Sequence, residues 1–268
     1  MPSYAITGAS KGIGREFVRQ LAQQSPSNTV LALVRNPSPS SIPALHALAQ
    51  AHPNIRILKA DATDPASIQA AAKEASDILG GKLDVLIHNS NSVNLETMGL
   101  PPTAVPFDVD AAREFYEQPF RTAVWGGAWA TNAFLPLIEK GEQKKVVHIT
   151  STMANTDLIL GAGVAYAVAY SIAKAGMNVQ VAKYAVELEP KGIKTVALCP
   201  GWVDTWEGPK PPQLVEAEEQ MLVQFRKADS GVKGQITPEE SVSQMLTVIN
   251  ALDASMSGTV IRAREFKA

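Results

Sequence analysis

The sequence predicts an α/β protein: a doubly wound sheet of about seven parallel strands with helices on both faces, forming a single domain. Three observations predict it. Short apolar runs rich in β-branched residues recur at 4–7, 29–34, 55–58, 85–88, 146–150, 195–199 and 259–262. Segments with helical spacing separate them, and each parallel connection needs such a crossover. The runs are nearly continuous in apolar residues instead of alternating, which suits strands covered on both faces. A chain of 268 residues is long enough for one core of this kind.

The first run leads directly into Thr7-Gly8-Ala9-Ser10-Lys11-Gly12-Ile13-Gly14, and a helical pattern opens at Arg15 and Glu16. That order reads strand, glycine turn, helix. Gly8, Gly12 and Gly14 allow the main chain to turn tightly and a ligand to approach it closely, while the helix start offers unpaired N–H groups to an anion. A dinucleotide pyrophosphate is the expected occupant. The spacing is G-x-x-x-G-x-G, not the more familiar G-x-G-x-x-G.

The second run decides between dinucleotides. An acidic residue about twenty positions beyond the glycine turn binds the ribose hydroxyls of NAD, whereas an arginine there accommodates the 2′-phosphate of NADP. Here that position is followed by Arg35, and no Asp or Glu occurs from Phe17 to Ala60. Arg35 can grip a phosphate in a bidentate fork, and Lys11 can add a point charge from the glycine turn. The expected cofactor is NADP(H).

After the third run come Asp61 and Ala62, where a carboxylate can accept from the adenine amino group. Asn89 ends the fourth run, placed to tie neighbouring backbone to the cofactor ribose. Residues 91–110 are rich in proline and polar residues and read as an ordered loop over the carboxyl edge of the sheet. A helical segment over 113–139 follows.

The fifth run ends in Ile149-Thr150-Ser151-Thr152. Ser151 stands where the sheet's carboxyl edge would present it to a substrate oxygen, with Thr150 and Thr152 as alternatives. In the helical segment 164–188, Tyr170 and Lys174 are four apart and emerge on one face, with Met177 and Val181 continuing that stripe into the core. Carbonyl reduction needs a proton donor beside the oxygen that becomes an alkoxide. A phenol, with an ordinary pKa near ~10, is a reluctant donor at neutral pH. A neighbouring ammonium favours the phenolate and is expected to lower that pKa. Lys174 can also hydrogen-bond the nicotinamide ribose.

The sixth run ends at Cys199, the single cysteine, which excludes an intramolecular disulfide and suits a reducing compartment. Pro200-Gly201-Trp202-Val203-Asp204-Thr205 follows. Residues 204–234 carry Trp206, Pro209, Pro211 and Pro212 and then a charged amphipathic stretch, which reads as a substrate-covering segment or a surface excursion. The seventh run closes the sheet.

Together these motifs resemble the short-chain dehydrogenase/reductase family over nearly the whole chain: the TGxxxGxG turn, a strand-end serine, Tyr-x-x-x-Lys, and a proline-glycine run after the sixth strand. The resemblance implies a Rossmann-type fold and hydride transfer on a CH–OH or C=O group. It implies catalytic roles for Ser151, Tyr170 and Lys174. It implies cofactor contacts from Gly8, Ser10, Lys11, Gly12, Ile13, Gly14, Arg35, Asp61, Ala62, Asn89, Tyr170 and Lys174, with Pro200, Gly201, Val203 and Thr205 framing the nicotinamide. No metal is expected.

The sequence departs from that pattern in three places. The run after the fourth strand is His88-Asn89-Ser90-Asn91, where the family has Asn-Asn-Ala-Gly. Nineteen residues separate Ser151 from Tyr170 where thirteen are usual, and an insertion over 155–163 accounts for the difference, similar to a carbonyl-reductase-like subgroup with a lengthened loop. Ala123 stands where the family has an asparagine whose side chain kinks its helix and whose carbonyl holds a proton-relaying water. The alanine keeps the carbonyl and loses the side chain.

Net charge is −2 and the basic residues are scattered, so the electrostatic footprint of a nucleic-acid binder is missing. A strand beginning almost at Met1 and the lack of a long uncharged apolar segment predict a cytoplasmic protein without a membrane partner. Met153, Leu158, Ile159, Leu160, Trp202 and Trp206 fall after the fifth and sixth strands, favouring an apolar small-molecule carbonyl or alcohol as substrate. Two function classes remain open: an NADPH-dependent reductase, and an NADP(H)-binding sensor or scaffold, which Ala123 motivates. By resemblance, the helices at 113–139 and 164–188 are candidates for a homodimer or homotetramer interface. Gly126, Gly127, Ala128 and Ala130 suit either that interface or packing within the chain.

Overall fold

The computed structural model describes residues 1–92 and 94–267. Seven parallel strands form one sheet in the order β3-β2-β1-β4-β5-β6-β7. They are β1 (Ser3–Thr7), β2 (Thr29–Val34), β3 (Ile55–Lys59), β4 (Val85–His88), β5 (Lys145–Ile149), β6 (Lys194–Cys199) and β7 (Val260–Arg262). Chain order reverses between β1 and β4, and open α/β sheets bind ligands beyond the carboxyl ends of strands at such a switch.

Each inner strand feeds two cores. Successive side chains point to opposite faces, so Ile6, Val30, Ile87 and Val147 pack on one side and Ala5, Leu31, Leu86 and Val146 on the other. The first layer is closed by α1 (Gly12–Gln24), through Phe17, Val18 and Leu21. It is completed by α2 (Pro43–Ala51) and by a helix at Pro238–Ala251 that contributes Val242, Met245 and Ile249. The second layer is closed by α3 (Pro65–Leu79) with Ile68 and Ala75, and by a helix at Gly126–Ile138 with Phe134 and Ile138. Full burial of each large side chain contributes roughly 1.5–3 kcal/mol.

Helix ends follow the local chemistry. Asp64 caps α3, its carboxylate accepting from Ala66 N at 2.9 Å, and Pro65 occupies the first turn where no N–H is needed. The segment 91–110 is not wholly loop: Asn94 caps a single turn, α4 (Leu95–Met98), and a 3₁₀ turn spans Pro102–Ala104.

The predicted helix at 113–139 is divided. α5 (Val109–Phe120) passes into a wider π turn at Arg121–Trp125 and continues as α6 (Gly126–Ile138). The insertion at 155–163 is itself a helix, α7 (Thr156–Ala162), capped by Asn155 through a 2.9 Å bond from Leu158 N and ended by Gly163 with φ 65°. α8 (Val168–Leu188) follows.

The segment at 204–234 carries α9 (Pro212–Ala228), which packs against α7. At the contact, a Cβ on Gly161 would sit 3.2 Å from that of Ala228. Lys210 holds the near end of α9 to the sheet edge, its Nζ 2.8 Å from Asp204, 2.8 Å from Glu218 and 2.9 Å from Gln235. The last helix, α10 (Pro238–Ala251), begins at Thr237, whose hydroxyl accepts from Glu240 N. No helix among the described residues is long and apolar enough to cross a membrane.

Gly126, Gly127 and Ala130 of α6 are buried inside the chain. A Cβ on Gly126 would lie 2.6 Å from the Ala62 carbonyl oxygen, and one on Gly127 would lie 3.2 Å from the His148 ring.

Candidate active site

The carboxyl ends of the strands open into a cleft of about 910 Å³, and every predicted site residue except Gly14 lines it. Gly14 stands directly behind: a Cβ there would come within 2.2 Å of the Gly8 carbonyl oxygen, so only glycine lets α1 start so close to the turn. Gly8 itself has φ 65°, the left-handed region glycine adopts freely. Lys11 is the N-cap of α1 and makes no side-chain capping bond, which leaves the first-turn N–H groups facing the cleft beside Ser10, Gly12 and Ile13. An anion fits this donor set. Asn89 fixes the turn from the β4 side, its Nδ2 donating to the carbonyls of Thr7 and Gly8, each at 3.2 Å.

Arg35 is exposed at the far lip of the cleft, next to Asn36, whose amide donates to Ser41 Oγ at 2.8 Å. Neither β2 nor the residues directly after it carry a carboxylate. Asp61 sits at the end of β3 with one carboxylate oxygen already accepting from Thr63 N and Thr63 Oγ1, at 2.9 and 2.8 Å. Ala62 lines the wall beside it. The residues along this half of the cleft fit a dinucleotide: N–H donors for a pyrophosphate and a guanidinium for a phosphate at its end.

At the other half, Tyr170 and Lys174 lie one turn apart on α8 beside Ser151 at the end of β5. Lys174 is 3% exposed, and its Nζ donates to the Ile149 carbonyl at 2.7 Å and lies 5.9 Å from the centre of the Tyr170 ring. Burial lowers the Lys174 pKa to about 8.

Tyr170 departs from expectation. Loss of solvation raises its pKa above the usual value, a hydrogen bond from Ser151 opposes that, and the Cys199 thiol adds to the rise. The predicted lowering by a neighbouring ammonium is therefore not the arrangement of the chain by itself. The geometry agrees: the Lys174 ammonium is committed to a backbone carbonyl and lies 5.9 Å from the centre of the Tyr170 ring, and burial of the phenol dominates.

The alternatives to Ser151 separate by their partners. Thr150 is 2% exposed and its hydroxyl donates to Asn178 Oδ1 at 2.6 Å. Thr152 opens the 3₁₀ turn Thr152–Ala154, and Ser151 Oγ accepts from Met153 N at 3.2 Å on the cleft side shared with Tyr170. Asn178 is absent from the residues the sequence singles out. Its position four beyond Lys174 on the same face is the signal that could have found it.

Ala123 is fully buried inside the π turn, so the helix is irregular at this point even without the asparagine.

The apolar end of the cleft differs in detail from the sequence reading. Met153 and Trp202 line it, and Leu158 packs in the cluster behind. Leu160 is 80% exposed, and Trp206 turns outward with its Nε1 donating to Pro209 O at 3.1 Å. Their places are taken by Met98, Tyr166, Met221 and Phe225, the last edge-on to Trp202 at 5.2 Å. Met221 and Phe225 come from α9 and line the cleft. Thr205 approaches the glycine turn, its side-chain carbons 3.2 Å from where a Cβ on Gly12 would be. Pro200, Gly201 and Val203 form the wall between them.

A family model described as short chain dehydrogenase matches residues 3–209. A short-chain dehydrogenase/reductase of an Arthrinium species, atnB, is 38% identical over 261 residues, covering 97% of this chain and 97% of its own. Another, AacuF of Aspergillus aculeatus, is 37% identical and covers 96% and 95%. Among solved structures, the NADPH-bound carbonyl reductase from chicken fatty liver superposes with a TM-score of 0.77 at 28% identity, over 98% of this chain and 97% of that one. The sheet order, the cleft and the matched residues agree, and the chain belongs to the short-chain dehydrogenase/reductase family of oxidoreductases, which use a nicotinamide cofactor.

Proposed function

We propose that the protein is an NADPH-dependent reductase of a carbonyl group on an apolar small molecule, or the corresponding dehydrogenase in reverse. The observation that carries this reading is the convergence of Ser151, Tyr170 and Lys174 in one cleft with a glycine turn, Arg35 and no ribose-binding acid on β2. The carbonyl reductase from chicken fatty liver holds NADPH, which supports the same cofactor here.

When bound, the nicotinamide supplies the hydride. Ser151 hydrogen-bonds the substrate oxygen and Tyr170 donates the proton to it. Tyr170 is protonated at neutral pH, and because its raised pKa by itself makes it a more reluctant donor, the nearby Lys174 ammonium has to offset that rise during proton transfer. Lys174, held by Ile149 O, keeps two further N–H donors for the ribose hydroxyls. Arg35 and Lys11 bind the 2′-phosphate end. The wall of Met98, Met153, Trp202 and Phe225 excludes water and takes the apolar body of the substrate.

The test is NADPH oxidation with a panel of aromatic ketones, diketones and quinones, for wild type and Tyr170→Phe. Turnover by wild type and its loss in the variant support the reading. Unchanged turnover in the variant overturns the mechanism. Tight NADPH binding with no turnover by wild type marks a sensor or scaffold instead.

A further inference from the structure

His88 stands at the end of β4, 1% exposed, and the chemistry proposed above does not use it. Its Nε2 lies 3.0 Å from the Thr122 carbonyl oxygen and its Nδ1 lies 3.1 Å from Thr7 Oγ1. A carbonyl only accepts, so Nε2 carries the hydrogen and Nδ1 accepts from the Thr7 hydroxyl. The threonine side agrees: Thr7 Oγ1 also accepts from Asn89 N at 3.0 Å and Ser90 N at 3.1 Å, which leaves its one proton for the imidazole. Burial pushes the His88 pKa down to about 4, and the ring is neutral.

The Thr122 carbonyl has lost its α-helical donor. In an α-helix it would accept from Gly126 N, four residues on. In the π turn, Gly126 N reaches back five residues to the Arg121 carbonyl instead, and His88 reaches Thr122 from the neighbouring strand. Gly127 lies against both histidine rings: a Cβ there would meet the His148 ring at 3.2 Å and His88 Cδ2 at an ordinary 3.4 Å.

What the turn touches gives the bond its consequence. Ala123 in the turn packs against Ala173 and Met177 of α8, the residues on either side of Lys174 in the helix's buried stripe. We propose that His88 is a positioning residue for Lys174: its Nε2–H bond to the Thr122 carbonyl holds the widened turn, and the turn holds the stretch of α8 that carries the lysine. The side chain absent at Ala123 is thereby replaced by one from β4. The part of this inference that concerns catalysis rests on the reductase reading, and the structural part stands without it.

Two experiments test it, neither needing a substrate at the outset. Nitrogen-15 NMR of the wild-type protein reads the His88 tautomer; Nε2–H is expected, and Nδ1–H overturns the proposal. The side-chain ammonium of Lys174 is then titrated in wild type, His88→Gln and His88→Leu. Glutamine keeps a donor toward Thr122 and leucine does not. The expected result is a titration midpoint unchanged in His88→Gln and displaced in His88→Leu; an unmoved midpoint in a folded His88→Leu protein overturns the proposal. If wild type reduces a carbonyl compound, His88→Leu should lower kcat about tenfold to a hundredfold, the effect of a small misplacement remote from the chemistry, with His88→Gln restoring most of it. A mere loss of stability would lower the melting temperature of both variants and leave the midpoint in place. Absence of any turnover would fall on the reductase reading alone.

Discussion

The ammonium of Lys174 is bonded to the backbone carbonyl of Ile149, so β5 fixes the lysine one helical turn from Tyr170 before any ligand arrives. The bond also explains how a cation survives at 3% exposure with no carboxylate partner among the described residues: a carbonyl dipole takes the place of a counter-ion. Its lowered pKa is the remaining cost of that burial.

Reduction that depends on charged Lys174 should hold level at neutral pH and decline as pH rises through about 8, where the lysine loses its proton. Lys174→Met should lower kcat about a hundredfold or more and remove that decline. The measurement is a pH profile of kcat at saturating NADPH; a profile of unchanged shape in the variant would contradict the assignment.

Arg35 should choose the cofactor. Replacing a charge-assisted bond to phosphate by a carboxylate, in Arg35→Asp, should raise KM for NADPH about tenfold to a hundredfold and leave KM for NADH within a few-fold. Steady-state kinetics with both cofactors decide it, and equal effects would sink the assignment.

His88 and His148 should make the fold acid-sensitive. Burial depresses the folded-state pKa of both, to about 4 for His88. The unfolded chain binds protons near ~6.5, so each contributes stability that is complete above that pH and is lost as pH falls toward the folded value. For His88 this amounts to about 3 kcal/mol between pH 6.5 and 4. Thermal melts across that window should show a steep fall in melting temperature, and a flat curve would refute the buried neutral assignment.

Gly14→Ala should be poorly tolerated. The added Cβ meets backbone, the Gly8 carbonyl at 2.2 Å, so the glycine turn or α1 has to move. The expected cost is about 1–3 kcal/mol of stability together with weakened NADPH binding. Chemical denaturation and a fluorescence titration with NADPH measure the two effects.

Self-association should run through α8. Ile172, Val179 and Val186 repeat every seven residues on one exposed stripe, with Trp125 of the π turn also 46% exposed. The stripe is expected to meet a second copy of the chain. Solution scattering should give a multiple of the monomer mass for wild type and a smaller particle for Val179→Lys; a wild-type monomer would reject the interface.

Much of this architecture is legible in the sequence because its signals are local. The apolar runs at 29–34 and 85–88 coincide with β2 and β4, and the glycine turn sits at the head of α1 where its spacing places it. α7 is expected only as an insertion, although Asn155 and Gly163 bracket it with the residues that start and stop helices. The π turn at Arg121–Trp125 has no comparable mark: it depends on a histidine thirty-odd residues away in sequence, brought beside it by strand pairing. The pKa of Tyr170 escapes the sequence for a similar reason, since it follows from enclosure by several elements and not from the spacing to Lys174. The cleft wall is half visible. Met153 and Trp202 follow strands, whereas Met98, Met221 and Phe225 arrive from segments whose docking only the folded chain displays.

α7 interrupts the chain between Ser151 and Tyr170 and yet rests on α9, outside the sheet. Ser151 is anchored by β5 and Tyr170 by α8, so the length of chain between them is free to change without altering the distance between their hydroxyls. The two helices form a detachable roof over a fixed hearth: exchanging α7 together with α9 would reshape the mouth of the cleft and leave the reacting groups where they stand. A library built by recombining these two helices as a matched pair should therefore diversify substrate choice at little cost to turnover, whereas exchanging either one alone would leave Gly161 or Ala228 facing the wrong partner.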